Sequence, residues 1–396
     1  MRSLAFVLGI RPDVIRAALI LKHLGRHPEI KVTFIWSGQH YSDNLKDVFF
    51  RELAVSPADI DLGCRGDTDA EVVAEVIGRL YKALASLRPD AVVFLGDTNT
   101  TTGAIAATQL NIPIVHIEGC MRSYDWRMPE EKYRTTIDHL SDVIYAYLPE
   151  YKEQGVLEGL NPENIVVVGN PIVDVLQHHY VAQRERFDRM TDGNFFESRG
   201  IARHEFYLMT CHRRENVYGD GTLARVFALA GAAGRPVYFP AGYRTQRAIG
   251  EQALAVPGNV VAVDPIGYDE FLCLLVNSRG VFTDSGTVVE EACVLQVPSV
   301  QMRRSTERPQ VYDVGASVKF DPSDATYEPS AIIRKLERLH GTAWENPFGD
   351  GRASERIADD LIARLLEGRL DRHQRACYHV PTEHAYREDG LDLQAT

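Results

Sequence analysis

Continuous apolar runs, each closed by a turn residue, recur along this chain: SLAFVLG at 3–9, KVTFIWSG at 31–38, DAVVFLGD at 90–97, IPIVHIEG at 112–119 and DVIYAYL at 142–148. A strand with one wet face alternates polar and apolar residues. An unbroken apolar run instead marks a strand buried on both faces, the condition met in a parallel sheet. Between the runs lie amphipathic stretches of helical length, such as AEVVAEVIGRLYKALASL at 70–87. Strand and helix alternating in this way predict α/β units with right-handed crossovers.

After IVVVGNPIVDVL at 165–176, the polar, arginine-rich segment at 177–204 carries no strand pattern, and the domain boundary is placed there. A second series then follows: EFYLMTCH at 205–212, PVYFPAG at 236–242, NVVAVDPIG at 259–267, GVFTDSG at 280–286, PSVQMR at 298–303 and ASVKFD at 316–321. A chain of 396 residues is long for one core and ordinary for two. The expected architecture is α/β, with two Rossmann-like domains and a cleft between them, where a ligand would meet the carboxyl edges of the strands. The expected spans are 1–178, 179–355 and a C-terminal segment 356–396, whose helix packs back on the N-terminal domain and ends in a tail.

Several function classes are disfavoured. A net charge of -12 argues against a general nucleic-acid binder, which needs a basic face, although local arginines can still hold an anion. No apolar run approaches the ~20 residues that span a bilayer, and the N-terminal run leads into a loop motif without a cleavage site. The six cysteines are scattered without a CxxC pair, so neither a zinc site nor a disulfide framework is indicated and a cytoplasmic setting fits.

Polar groups stand where apolar runs end: Asp97 after VVFLG, Glu118 after PIVHI, His212 after YLMTC, and Asp284 with Ser285 after GVFT. In parallel sheets these ends point one way, so the groups are expected to converge. Helix capping is the competing explanation for Asp97, Thr98 and Ser285. GIRP at 9–12 places Arg11 at a helix start, a modest anion cradle. In TDSGTVVEEA at 283–292, Gly286 permits close approach of backbone to a ligand, and Glu290 or Glu291 reaches toward a sugar hydroxyl or complements the helix dipole. HRRENVYGD at 212–220 and RRSTERPQ at 303–310, with Arg303, Arg304, Glu307 and Arg308, read as two electropositive loops suited to a diphosphate.

HIEGCMRSYDWRMPEEKYRTTIDH at 116–139 reads as the acid side of the same site. A helix starting near Pro129 puts Glu130 and Glu131 in its first turn. Glu118 and Glu130 are taken as proton handlers, since two carboxyls brought close in a partly dry site split into an acid and a base. Arg122, Glu131 and Arg134 are assigned to holding the turn and helix start, with Glu131 paired to Arg134.

Taken together, these residues resemble the non-hydrolysing UDP-N-acetylglucosamine 2-epimerase family. Nine motifs occur in the family's order: GIRP, SGQH (37–40), GDTNTT (96–101), HIEG with MR (116–122), PEE with R (129–134), VGNPIVD (168–174), HRREN (212–216), TDSG with EEA (283–292) and TERP (306–309). The resemblance implies a glycosyltransferase B-like fold, a UDP-sugar substrate, no NAD and no metal, and commonly a homodimer. It also implies proton abstraction at sugar C2, anti elimination of UDP to a 2-acetamidoglucal, and re-addition after reprotonation on the opposite face.

Matched by position, Asp97, Glu118 and Glu130 are the catalytic carboxylates and His212 assists departure of the diphosphate. Arg11, Arg213, Ser285, Gly286 and Arg308 are expected near the nucleotide, with Glu291 on the ribose and Phe271 near uracil. Which acid is base stays open.

The chain also departs from the family pattern. The connection from Glu118 to Glu130 is shorter than in the commonest form, and SGT at 285–287 replaces SGG. Both features resemble branches acting on modified sugars, of diacetamido-glucuronate or N-acetylfucosamine type. The hydrolysing variant, which releases N-acetylmannosamine and UDP, also stays open. Gly66 and Gly242 stand where some members carry an arginine and a histidine of a second, activating UDP-sugar site, so that regulation is expected to be weak or absent.

Overall fold

A computed structural model describes residues 1–38 and 50–370. Gln39 and His40 of SGQH and the tail after 370 lie outside the described residues. The chain separates into two compact units: the first holds 1–38, 56–171 and 352–370, the second 50–55 and 172–351. No helix among the described residues is long and apolar enough to cross a membrane.

The first unit is built on seven strands: β1 (Arg2–Leu8), β2 (Ile30–Trp36), β3 (Ile60–Asp61), β4 (Ala91–Leu95), β5 (Ile114–Ile117), β6 (Val143–Ala146) and β7 (Ile165–Val167). All neighbours pair in parallel, in the order β3-β2-β1-β4-β5-β6-β7. Every residue of β4, β5 and β6 is buried, which is why these stretches show no polar alternation. Helix starts follow local chemistry. Pro12, Pro129 and Pro149 sit at first-turn positions, and Thr68 with Glu71 forms a capping box for the Asp69–Leu87 helix. Val72, Val76, Leu80 and Leu84, one helical face, pack on the apolar face of β1, β4 and β5.

The Ala353–Leu366 helix belongs to this unit and packs against the Arg11–Leu24 helix. Its Asp360 accepts a 2.9 Å hydrogen bond from the Tyr145 hydroxyl, and Arg356 donates to the Val168 carbonyl at 3.1 Å.

The second unit holds β8 (Tyr207–Thr210), β9 (Val237–Pro240), β10 (Val260–Val263), β11 (Val281–Thr283), β12 (Ser299–Met302) and β13 (Ser317–Phe320), again all parallel, ordered β10-β9-β8-β11-β12-β13. The expected strands are therefore present, and β3, only two residues long, is the one that hydrophobic patterning did not foresee. The 177–204 segment forms short helical turns, including Arg184–Met190.

Strand order explains why distant motifs meet. In each sheet the direction of winding reverses at one neighbouring pair, β1 with β4 and β8 with β11, and side chains just beyond such a switch point face a common crevice.

Candidate active site

In the first unit Leu95 of β4 lies level with Ile117 of β5, so Asp97 and Glu118 emerge side by side. The chain turns abruptly after β5. Glu118 has φ +74° and Cys120 φ +63°, left-handed values that cost a residue with a β-carbon about 1–3 kcal/mol and concentrate at functional sites. The turn is held by its surroundings. Glu118 and Gly119 amides both donate to the Tyr145 carbonyl, and the Cys120 amide donates to Asp138 Oδ2 at 3.0 Å.

Asp138 is fully buried and also meets Arg122 Nη2 at 2.8 Å and His116 Nδ1 at 2.7 Å; His116 Nε2 in turn reaches the Gly96 carbonyl at 2.8 Å. Burial alone would raise the Asp138 pKa, but the hydrogen bond and charge of His116, with Arg122, hold it below the usual carboxylate range. One ionised side chain thus ties the backbone bearing Asp97 to the backbone bearing Glu118.

Gly119 is required inside this turn. A β-carbon there would lie 2.2 Å from Ile144 Cγ2 and 2.7 Å from Asp138 Oδ1. Gly119→Ala is expected to lower stability by about 1–3 kcal/mol through overpacking. Urea denaturation checks this, and an unchanged midpoint would contradict the packing described.

Two buried guanidiniums surround the Glu118 carboxyl. Arg134 Nη2 donates to Glu118 Oε1 at 3.0 Å and to Asp97 Oδ2 at 2.5 Å, while its Nη1 donates to the Glu118 carbonyl. Arg16 forms an ion pair with Glu118 Oε2, and the Tyr147 hydroxyl approaches the same oxygen at 3.3 Å. Arg134 is therefore not the partner of Glu131, as its spacing suggested. Glu131 turns back and accepts from the Ser123 amide, the Ser123 hydroxyl and the Tyr124 amide, each at 2.9 Å. Asp97, the other acid at these strand ends, meets Arg134.

Glu130 is half-buried in the first turn of the Pro129–Leu140 helix, and its charge reaches Tyr133. Arg11 opens the Arg11–Leu24 helix, also half-buried. On the shortened connection Trp126 is exposed, with Lys132 over its ring, and Asp125 pairs with Arg127.

In the second unit Asp284, fully buried at the end of β11, organises the HRREN loop. It accepts from the His212 amide at 2.9 Å, the Arg213 amide at 3.0 Å and Asn216 Nδ2 at 3.2 Å, and lies 3.3 Å from His212 Nδ1. With its backbone anchored, the His212 imidazole projects outward, 55% exposed. Ser285 caps the Gly286–Val294 helix through the Val288 amide.

A β-carbon at Gly286 would lie 2.6 Å from Arg308 Nη1, so the guanidinium fills the space directly beside that helix start. Arg308 is itself buried and hydrogen-bonded to Glu290 Oε1 at 2.5 Å and Glu307 Oε2 at 3.3 Å. Burial would raise the Glu307 pKa, but Arg303, Arg213 and Arg308 hold it well below its ordinary value. Glu307 thus pairs with Arg303 and Arg308 inside the loop, and Glu290 meets Arg308 from the neighbouring helix.

Glu290 and Glu291 lie beyond the first helical turn, too far along to complement the dipole. Glu291 is buried and accepts from the Tyr268 hydroxyl at 2.7 Å. Phe271 packs partly buried among Phe206, Leu208 and Leu274. Gly66 and Gly242 differ in their surroundings. A β-carbon at 66 would meet Glu71 Cβ at 2.5 Å, whereas Gly242 borders open space.

Two parallel-sheet units, each with polar groups gathered at its switch point, define a glycosyltransferase-B-like α/β protein. A lipopolysaccharide outer core galactosyltransferase shares this fold at TM-score 0.51 and 12% identity, over 92% of this chain and all of that one.

The chain belongs to the UDP-N-acetylglucosamine 2-epimerase family, whose profile matches residues 22–362. It is 34% identical over 366 residues to the UDP-N-acetylglucosamine 2-epimerase of Methanocaldococcus jannaschii, covering 90% of this chain and 97% of the relative. A crystal structure of the M. jannaschii UDP-GlcNAc 2-epimerase in complex with UDP-GlcNAc and UDP superposes at TM-score 0.82 and 32% identity, over 91% and 99% of the two chains. The UDP-2,3-diacetamido-2,3-dideoxy-D-glucuronate 2-epimerase of Pseudomonas aeruginosa is 30% identical, over 90% and 98%.

Proposed function

We propose that this protein epimerises C2 of a UDP-2-acetamido sugar, interconverting UDP-N-acetylglucosamine and UDP-N-acetylmannosamine by anti elimination of UDP and re-addition to the glycal. The observation that carries this reading is the pairing of Asp97 and Glu118 on one buried guanidinium, in a chain of this family. Epimerisation through a glycal needs a group that removes the C2 proton, one that returns a proton on the other face, and cationic help for the departing diphosphate. Asp97, Glu118 and Glu130 are assigned the proton transfers. His212, exposed and anchored through its backbone, assists departure of the diphosphate.

Ser285 and Gly286 offer the helix-start amides to phosphate. Arg308 supports that backbone from beside Gly286. Arg11 and Arg213 supply charge near the nucleotide, Glu291 takes the ribose, and Phe271 lies near uracil. A homodimer and a cytoplasmic setting belong to the same proposal.

Incubation with UDP-N-acetylglucosamine, followed by proton NMR, is expected to give a gluco and manno mixture of the UDP-sugars that is reached from either side. Accumulation of free N-acetylmannosamine and UDP would identify a hydrolysing enzyme instead. A second reading, the same chemistry on a UDP-diacetamido-glucuronate type of sugar, is favoured by the shortened connection carrying exposed Trp126. Turnover of that substrate alone would establish it.

A further inference from the structure

Asp13 is completely buried in the first turn of the Arg11–Leu24 helix and has no part in the chemistry assigned so far. Its Oδ1 accepts from Arg16 Nη2 at 2.9 Å, and its Oδ2 has no hydrogen-bond partner. Arg16 links it onward, because the other arm of that guanidinium pairs with Glu118. Arg134 then joins Glu118 to Asp97.

The groups facing Asp13 are few. Arg16 comes from its own helix, the charge of Asp97 reaches it from the end of β4, and the Ile10 backbone N–H favours its ionised form. Gly96 lies against the pair, and a β-carbon there would be 3.3 Å from Asp13 Oδ1 and 3.5 Å from Arg16 Nη2. Three carboxyl groups, Asp13, Asp97 and Glu118, thus share two guanidiniums, Arg16 and Arg134. One proton balances those five charges.

We infer that Asp13 is a positioning residue that holds this proton and, through Arg16, sets how firmly Glu118 is gripped. When Asp13 is neutral, Arg16 is left to Glu118. When Asp13 is ionised, the two carboxylates compete for one guanidinium. An orphaned oxygen suits this role, because leaving a buried neutral carboxyl partly unpaired costs less than leaving a buried carboxylate so. Burial is the largest influence on Asp13 and lifts its pKa to about 7, with the Asp97 charge adding to the rise and Arg16 opposing it.

The kinetic part of this inference rests on the proposed epimerase activity, but the titration part does not. In protein labelled with carbon-13 at aspartate carboxyls, one resonance is expected to titrate near neutrality. It should vanish in Asp13→Asn and move to lower pH in Asp97→Asn, where a repelling charge is removed. The pH profile of kcat/KM should show an ionisation near 7 with a limb approaching tenfold per pH unit, missing in Asp13→Asn.

Stability gives a further check. A carboxyl with a raised folded pKa favours the fold below the unfolded value and loses that contribution as pH rises through the folded value. The stability of wild type relative to Asp13→Asn should therefore fall between about pH 4 and 7. Aspartate signals that all titrate in the ordinary acid range would overturn the inference, as would variant and wild-type profiles of identical shape. If Asp13→Asn does not fold, the wild-type and Asp97→Asn titrations still decide. A wild type that shows the neutral titration but no turnover would contradict the epimerase function and leave the proton assignment standing.

Discussion

Glu118→Gln and Asp97→Asn are each expected to lower turnover by about 10²–10⁴-fold, the loss that follows removal of a positioned acid or base. Affinity for UDP should stay within a few-fold, because both side chains are assigned to the sugar, whereas the nucleotide is assigned to Arg11 and, for the rest, to residues of the second unit. The two substitutions are nearly isosteric. Each leaves an oxygen that can still face Arg134, so the turn after β5 should persist. Steady-state kinetics and calorimetric titration with UDP separate the outcomes. Retained turnover in either variant would remove that residue from the chemistry, while loss of UDP binding would show that the substitution had disturbed more than proton transfer.

The second large effect is expected at Arg134. Arg134→Met removes a buried guanidinium from two carboxyl groups and a carbonyl, and breaking a buried pair from one side costs about 3–5 kcal/mol. Glu118 keeps Arg16, but Asp97 loses its contact with Arg134. Arg134→Lys separates charge from geometry. An ammonium restores the charge without the planar fork that reaches Asp97 and both ends of Glu118, so the lysine variant should recover part of the stability while turnover stays low. Equal stability of Arg134→Met and wild type by urea denaturation would contradict the burial and pairing described.

How far the sequence revealed this arrangement depends on what each residue's neighbours in sequence disclose. β4, β5 and β6 were legible because burial on both faces leaves a continuous apolar run, whereas the two residues of β3 are too few to show a pattern. Asp97, Glu118, His212 and Asp284 stood out because each directly follows such a run. What Asp284 does was not legible: it binds loop amides, and nothing local distinguishes an anchor from a reacting acid.

Arg16 and Arg134 were hidden for a different reason. On a helix, an arginine three residues after an acid suggests a surface pair. Glu131 and Arg134 have that spacing, yet both are buried and turn in different directions, one to the 123–124 loop and one to the acids. A signal did exist at Arg16, which lies between Val14 with Ile15 and Ala17 with Ala18, in a helix whose apolar residues are nearly all buried. A charge in such surroundings needs a partner, and an acid at a strand end is a candidate. In RRSTERPQ the acid Glu307, read as one charge among arginines, proved to be the point on which Arg303 and Arg308 converge.

The central claim is that the C2 proton leaves the sugar and is replaced from solvent. Incubating the protein with UDP-N-acetylglucosamine in deuterated water and following C2 by NMR tests this directly. Deuterium at C2 in both the gluco and manno sugars is the predicted result; epimerised product that keeps its original C2 hydrogen would contradict the account.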